Sequence, residues 1–377
     1  MMKTPSTRLA AKRFQSLKTS IQTTDFKLSA NDVPAQATIF SMVQPTGKFH
    51  LGNYLGAVRV WKDLCDLKTN QNLYFGVADL HAITIPKPDA SNFKQLRLEA
   101  IASLLSIGID PLKAHVFFQS SIPQHAELNW MLSTFAPMGY LNRMTQWKSK
   151  SNIKESDEGT LDNTSNVKLG LFAYPVLQAA DILLYKSTHV PVGEDQSQHL
   201  ELTRTLAENF NKMYKKRVFP LPKTMLAPTK KILSLNSVAK KMSKSDPNQN
   251  GVVYLNDSPE EIARKIKKAV TDNISEAFYY DPINRPGVSN LINMISGTQR
   301  KSISAVEKDI AQYKNHQDFK NYVTEVLVEE LKEPRLKYDN LIQDLSYLEK
   351  VQQEGASKAS EVAEQTLDEV KTTMGFK

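Results

Sequence analysis

The chain lacks any long apolar run: nothing in its 377 residues approaches the about 18 consecutive apolar positions that a membrane-spanning helix needs. Cysteine is nearly absent. Cys65 stands alone, which excludes an internal disulfide and a cysteine-based zinc cluster. It reads as a packed thiol of a reducing compartment rather than as a nucleophile. Carboxylates are missing from the first 24 residues, which hold five Lys/Arg and eight Ser/Thr; Asp25 is the first acid. A basic, hydroxyl-rich, acid-free start is the composition of a mitochondrial transit peptide, with a disordered basic tail as the alternative. The phosphate-binding pattern GxxxxGK[ST] is also missing. No internal repeat and no protein cluster of metal ligands is visible.

What is present is enough for ordinary cores. Hydrophobic residues make up 41%, and the length favours two domains. Charge is uneven. Residues 25–250 hold 26 basic and 19 acidic groups, whereas 251–377 hold 17 and 21. A polyanionic partner therefore suits the middle of the chain better than its C-terminal part.

Strand-like runs alternate with helical periods in the first half. "ATIFSMV" (37–43), "NLYFGVADLHAIT" (72–84, with polar groups at its end) and "AHVFFQSSIP" (114–123) read as strands. "YLGAVRVWKDLCDL" (54–67) and "SNFKQLRLEAIASLLSIGID" (91–110, capped by Ser91) read as helices. That alternation predicts a parallel sheet in an α/β domain. Residues 148–168 are polar without periodicity and read as a surface loop. From Ser258, a cap followed by Pro259, the pattern is helical to about Phe376, with Pro334 as a breaker.

Two segments carry chemistry. "QPTGKFHLGNYLGAVRVW" (44–61) puts glycines and small polar groups where a strand gives way to a helix, a place where backbone N–H groups face an anion. Gly47 and Gly52 would let a phosphate or an adenine ring approach the backbone, and His50 and Asn53 would add directional hydrogen bonds. A tight structural turn explains the glycines about as well. The second segment, "KKMSKSDPN" (240–248), places Lys241 and Lys244 where they can straddle a triphosphate and stabilise a departing pyrophosphate. Alone it could be a solvated basic turn.

Together "FHLGN" and "KMSKS" resemble the two signature sequences of class I aminoacyl-tRNA synthetases. "MTQWK" (144–148), "VPVGEDQSQHLELTR" (190–204) and "RPGVSN" (285–290) resemble tryptophanyl-tRNA synthetases in particular, and with the leader a fungal-type mitochondrial member. The resemblance covers residues 38–300 strongly and the tail loosely. It implies a mitochondrial transit peptide (1–35), a Rossmann-type parallel-sheet catalytic domain with an inserted substrate and dimer region (36–250) and an all-helical anticodon-binding domain (251–377). It implies activation of tryptophan by ATP, with Mg²⁺ held through the ATP phosphates and no protein metal site, then transfer to tRNA(Trp). It also implies a homodimer in the mitochondrial matrix. Carried over by motif, Gln44, Pro45, Thr46, His50, Gly52 and Asn53 hold ATP. Gly193, Glu194 and Asp195 face the ribose and adenine, and Ile232 borders adenine. Lys241, Met242, Ser243, Lys244 and Ser245 close over the phosphates, with Lys148 reaching them on closure. Lys241, Lys244 and Lys148 are the expected catalytic groups.

"AYPVLQAADILLY" (173–185) sets Tyr174, Gln178 and Asp181 on one helical face. Gln178 and Asp181 could be ordinary surface groups, although a carboxylate between Ala180 and Ile182 fits that poorly. In the family, Asp181 matches the acceptor for the indole N–H. Indole offers one donor and no acceptor, so a carboxylate suits it. Phe40 is expected to floor the pocket, Val190 and Val192 to wall it, and His81 and Gln196 to stand near the substrate's amino end. Many bacterial tryptophan enzymes have Met where this chain has Gln178, so Gln178 and Gln196 are expected to share the amino group. A Tyr-x3-Gln-x2-Asp arrangement also resembles tyrosyl-tRNA synthetases, which is the enzymatic alternative. An idle paralogue serving as an RNA-binding cofactor is the non-enzymatic one.

Overall fold

The computed structural model describes residues 32–67, 72–144, 168–193, 196–226, 231–244, 246–274 and 277–377, with residue 28 and the backbone of 20–22. The expected polar loop at 148–168 lies outside the described residues save Lys168. The strands are β1 (Ser20–Gln22), β2 (Thr38–Val43), β3 (Asn72–Val77), β4 (His115–Phe118), β5 (His189–Val192) and β6 (Lys223–Leu226). They lie in the order β1-β6-β5-β2-β3-β4, and every neighbouring pair is parallel. This is the Rossmann-type sheet expected from the sequence. The chain runs from β2 outward through β3 to β4, then returns to the other side of β2 for β5 and β6. β2 and β5 therefore flank the point where strand order reverses, and open parallel sheets take ligands at the carboxyl ends of such strands. Gln44 leaves β2 there, and Gly193 leaves β5. β1 falls within the expected leader; its backbone pairs with β6, Ser20 opposite Thr224.

Side chains alternate between the two faces of the sheet. Ile39, Phe75, Val77 and Val116 enter one core, and Phe40, Tyr74, Phe117 and Val190 enter the other. The first core is covered by α1, α3 (Ala90–Ser106) and a C-terminal group of α8 (Pro259–Lys267), α9 (Pro286–Gln299), α10 (Ile303–Ile310) and α11 (His316–Leu341). Helix α1 begins as Leu51–Asn53, passes through a π turn at Tyr54–Val58 and continues as Arg59–Asp66. The second core is covered by α4 (Gln124–Ser133), α5 (Met138–Asn142), α6 (Leu169–Leu184) and α7 (Ser197–Met213). Helix α12 (Leu345–Met374) serves both: Leu348 and Val351 belong to the first core, Ala359 to Val370 to the second. It crosses beside edge strand β4, and at the crossing Gly355 lies so close that a Cβ there would overlap the Val116 backbone. The first core thus crosses residue 251 without a break.

Three local readings are corrected. Helix α3 is capped by Asp89, whose Oδ1 accepts the Asn92 N–H at 2.9 Å, and not by Ser91. Pro334 does not break the last helices apart; α11 runs through it. A mid-helix proline costs about 3 kcal/mol, which the burial of Phe319, Val323, Leu327 and Leu331 along the same helix outweighs. His81 stands on a one-turn helix, α2 (Asp79–Ala82), and not at a strand end. Ser258 does cap α8, in a reciprocal pair with Glu261.

Candidate active site

The first signature is a rigid turn. Gly47 has φ +83°, a left-handed value that favours glycine. The backbone on either side of His50 is fastened to residues 253–255: Leu51 N–H donates to Val253 O (2.8 Å) and Leu255 N–H to Phe49 O (2.9 Å). His50 Nδ1 accepts the Asn53 N–H (3.2 Å), while Asn53 Oδ1 accepts the His50 N–H (3.4 Å). This reciprocal cap opens α1. Burial, then the charges of Lys244 and Lys241, lowers the His50 pKa to about 3, so the ring is neutral. A Cβ on Gly52 would press on the His50 ring at 3.0 Å and reach the Ile232 Cβ at 3.7 Å. Gly52 is therefore small first of all to admit the chain's own His50, and Ile232 does stand beside it.

The lysine loop folds onto that turn. Met242 N–H donates to Ile232 O (2.9 Å) and Lys241 pairs with Leu233 as an isolated bridge, which buries Met242. Lys244 Nζ then donates to Thr46 Oγ1 (2.9 Å) and Gly47 O (3.0 Å) and lies over the Phe49 ring. Burial pulls its pKa down to about 7 against the opposing effect of Glu99. Lys241 is exposed, Ser243 is half-buried, Pro45 is buried, and Gln44 and Thr46 face solvent. Gly193 follows β5, next to β2 in the sheet. Lys148, Glu194, Asp195 and Ser245 lie outside the described residues.

Asp181 anchors a second group. It is 1% exposed, yet its carboxylate accepts three hydrogen bonds in the interior. Oδ1 accepts from His125 Nδ1 (2.7 Å) and Gln119 Nε2 (2.8 Å), and Oδ2 from His81 Nε2 (2.8 Å). Burial raises its pKa, but the hydrogen bonds from His125 and His81 win and bring it to about 2. The aspartate is thus ionised and oriented. His125 Nε2 is paired with Tyr185 Oη at 2.8 Å. Gln119 is aimed in turn: its Oε1 accepts the Leu80 N–H at 3.1 Å. Tyr185 stacks between Phe40 (5.3 Å) and Tyr74 (4.5 Å). Phe40 is therefore a core ring packed beside this group, and Val190 is buried next to it. Val192 is half-buried at the end of β5.

One turn away on α6, Tyr174 and Gln178 enter a third set of contacts. Tyr174 Oη lies 3.1 Å from His199 Nε2, His199 Nδ1 lies 2.9 Å from Gln196 Oε1, and Gln178 Nε2 donates to the same Gln196 oxygen at 3.3 Å. Gln178 and Gln196, paired in the sequence reading, do touch. Sequence reasoning missed Gln119, His125, Tyr185 and His199, which come from four separate elements. One signal was available: the chain has only seven histidines, and His50, His81, His125 and His199 are all buried at these groups. Among the described residues no cluster of three or more His, Cys, Asp or Glu could hold a metal ion.

An ionised, dry carboxylate with directed donors can recognise a single N–H. A glycine turn with a docked lysine can hold phosphates. Residues 34–332 match the family described as class I tRNA synthetases (W and Y). The chain is 61% identical over 374 residues, 98% of each chain, to the mitochondrial tryptophan--tRNA ligase of Saccharomyces cerevisiae. Its fold is similar to that of tryptophanyl-tRNA synthetase from Mycoplasma pneumoniae, with a TM-score of 0.78 and 33% identity over 90% of this chain and 98% of the other. It is also similar to the Campylobacter jejuni enzyme solved with ADP and tryptophan, with a TM-score of 0.71 and 30% identity over 90% and 99%.

Proposed function

We infer that this chain, which belongs to the class I tRNA synthetases for tryptophan and tyrosine, is a tryptophan–tRNA ligase that reads its amino acid through Asp181. The tryptophan carboxylate attacks the α-phosphorus of ATP, pyrophosphate leaves, and the terminal ribose of tRNA(Trp) then takes the tryptophanyl group with release of AMP. The observation that carries the assignment of Asp181 is its bonding pattern. A carboxylate has about four lone-pair positions; Oδ1 accepts two donors and Oδ2 one. The remaining position, on Oδ2, suits the one N–H of indole. Phenylalanine would leave it unfilled, which a site of this kind rejects strongly.

At the other end, the turn from Gln44 to Asn53 takes ATP, with Ile232 and Gly193 on its adenine and ribose side. Lys241 and Lys244 act on the charge of the leaving pyrophosphate. Mg²⁺ would be carried by ATP oxygens and waters; with no cluster of protein ligands among the described residues, no protein ligand is assigned to it. Pyrophosphate exchange tests the function. Exchange that needs tryptophan and ignores tyrosine is expected. Exchange with tyrosine, or none, would overturn it.

Localisation in the mitochondrial matrix is supported by the acid-free leader and by the mitochondrial relative. A reporter fused to residues 1–35 should enter mitochondria, and a cytosolic signal from it would speak against this. Homodimer formation follows from the family resemblance, and Trp130 on α4, 74% exposed where a tryptophan is mostly buried on average, is the side chain we assign to the contact. Sedimentation should give a dimer that Trp130→Glu converts to a monomer; a monomeric native chain would refute it.

A further inference from the structure

Four side chains that link α6 to α7 form an ordered chain of hydrogen bonds, and its order fixes which atom each presents. Tyr174 Oη meets His199 Nε2 at 3.1 Å, and His199 Nδ1 meets Gln196 Oε1 at 2.9 Å. An amide oxygen only accepts, so Nδ1 carries the proton; in the neutral ring Nε2 then accepts from the tyrosine hydroxyl. The same Gln196 oxygen also accepts from Gln178 Nε2 at 3.3 Å. Gln178 has therefore turned its NH2 group inward and its carbonyl oxygen away from the chain. Gln178 is half-buried, and that oxygen has no partner among the described residues.

The orientation matters because the substrate's amino end is a cation. An ammonium offers three donors and no acceptor. Facing a carbonyl oxygen it gains a charge-assisted bond; facing an amide NH2 it meets a donor and is repelled. Gln178 by itself has no preference between the two flips. Gln196 imposes one while its own oxygen points at Gln178, and the His199 Nδ1–H is a donor that aims that oxygen. His199 is 1% exposed, so water does not replace that bond readily. Its ring is further fixed edge-on against Tyr174, with centroids 5.2 Å apart at 81°.

We propose that His199 is a positioning residue for the amino end of tryptophan: acting through Gln196, it fixes the amide of Gln178 so that an oxygen and not an NH2 group faces the ammonium. This rests on the reading that Tyr174, Gln178 and Asp181 line the tryptophan site, with Asp181 at the indole end. It gives Gln178, which stands where many bacterial tryptophan enzymes have methionine, a role that a thioether could not fill, since sulfur is a weak acceptor.

The test measures tryptophan-dependent pyrophosphate exchange together with inhibition by indole-3-propionate, which keeps the indole and carboxylate but lacks the amino group. His199→Phe should raise the KM for tryptophan about 10-fold or more, the scale of a lost charge-assisted bond. The KM for ATP and the inhibition constant of indole-3-propionate should stay within about 2-fold. His199→Asn, whose amide nitrogen can take the donor place of Nδ1, should recover most of the loss. Should His199→Phe fail to fold, His199→Leu takes its place: in the Gln178→Leu background, which should already show the tryptophan-only defect, it should add nothing, because both act through one bond. Indole-3-propionate weakening in step with tryptophan, or an unchanged KM in both His199→Phe and Gln178→Leu, would overturn the proposal. Failure of the underlying reading looks different: the unmutated protein would then show no tryptophan-dependent exchange.

Discussion

The two ends of the active site are built by different means. The end proposed for ATP is backbone: a turn with a left-handed Gly47, fastened by main-chain bonds to residues 253–255 and closed by Lys244. The end proposed for tryptophan is side chains: Asp181 held by Gln119, His125 and His81, and Gln178 held by Gln196 and His199. Phosphates are alike in every nucleotide, so backbone donors and lysine cations suffice for them. One amino acid must be told from nineteen others, which needs acceptors aimed by a buried and fully bonded surround.

The sharpest break between the two ends should come from the lysine loop. Lys241→Ala or Lys244→Ala should lower the rate of adenylate formation by about 10²–10³, the scale of one preorganised donor. Affinity for ATP should change far less, and transfer from preformed adenylate to tRNA should be nearly spared, because pyrophosphate has already left. Single-turnover kinetics separates these steps. Loss of ATP affinity in full proportion to rate would make the lysines plain binding groups.

At the other end, Asp181→Ala should cost about 1.5–3 kcal/mol in tryptophan recognition, roughly 10- to 150-fold in the requirement for tryptophan. Rejection of phenylalanine should weaken, and ATP affinity should not move. A folded variant with native tryptophan kinetics would remove Asp181 from recognition.

The support beneath the site can be disturbed without touching either end. Gly355→Ala inserts a Cβ where α12 passes the Val116 carbonyl. Overpacking of this kind costs about 1–3 kcal/mol. The melting temperature should fall, while tryptophan and ATP constants at low temperature persist. An unchanged melting curve would mean that α12 shifts freely over β4.

The smallest effect is a proton. Lys244 has a pKa of about 7 in the free protein, lowered from 10.5 by burial. Between those values the folded chain holds fewer protons than the unfolded one, so this lysine's contribution to stability rises with pH across that window. ATP phosphates favour the charged form. Binding near pH 8 should therefore take up a fraction of a proton, seen by calorimetry in buffers of differing ionisation heat. Lys244→Ala should abolish the uptake; uptake unchanged in that variant would assign it elsewhere.

Much of this was written along the chain. The alternation of strands and helices, both signatures, the Ser258 cap and the Tyr174, Gln178, Asp181 face are local patterns, legible because each depends on neighbours within a few positions. The resemblance groups two motifs about 190 residues apart, and the fold brings them together, Ile232 beside Gly52 and Lys244 on Thr46. Other features were not legible. Gly52 looked like room for a nucleotide, and only the folded turn shows the His50 ring occupying that space. Pro334 looked like a break, and only the packing around α11 keeps the helix whole. Gln119, His125 and Tyr185 carry no local sign of their work, because hydrogen bonds between residues 56 to 62 positions apart have no pattern in one dimension. The sequence set which groups could meet phosphate and indole. The parallel sheet, by bringing β2 and β5 side by side and laying α6 across α4 and α7, decided which atoms those groups present, since direction belongs to packed side chains and not to their order along the chain.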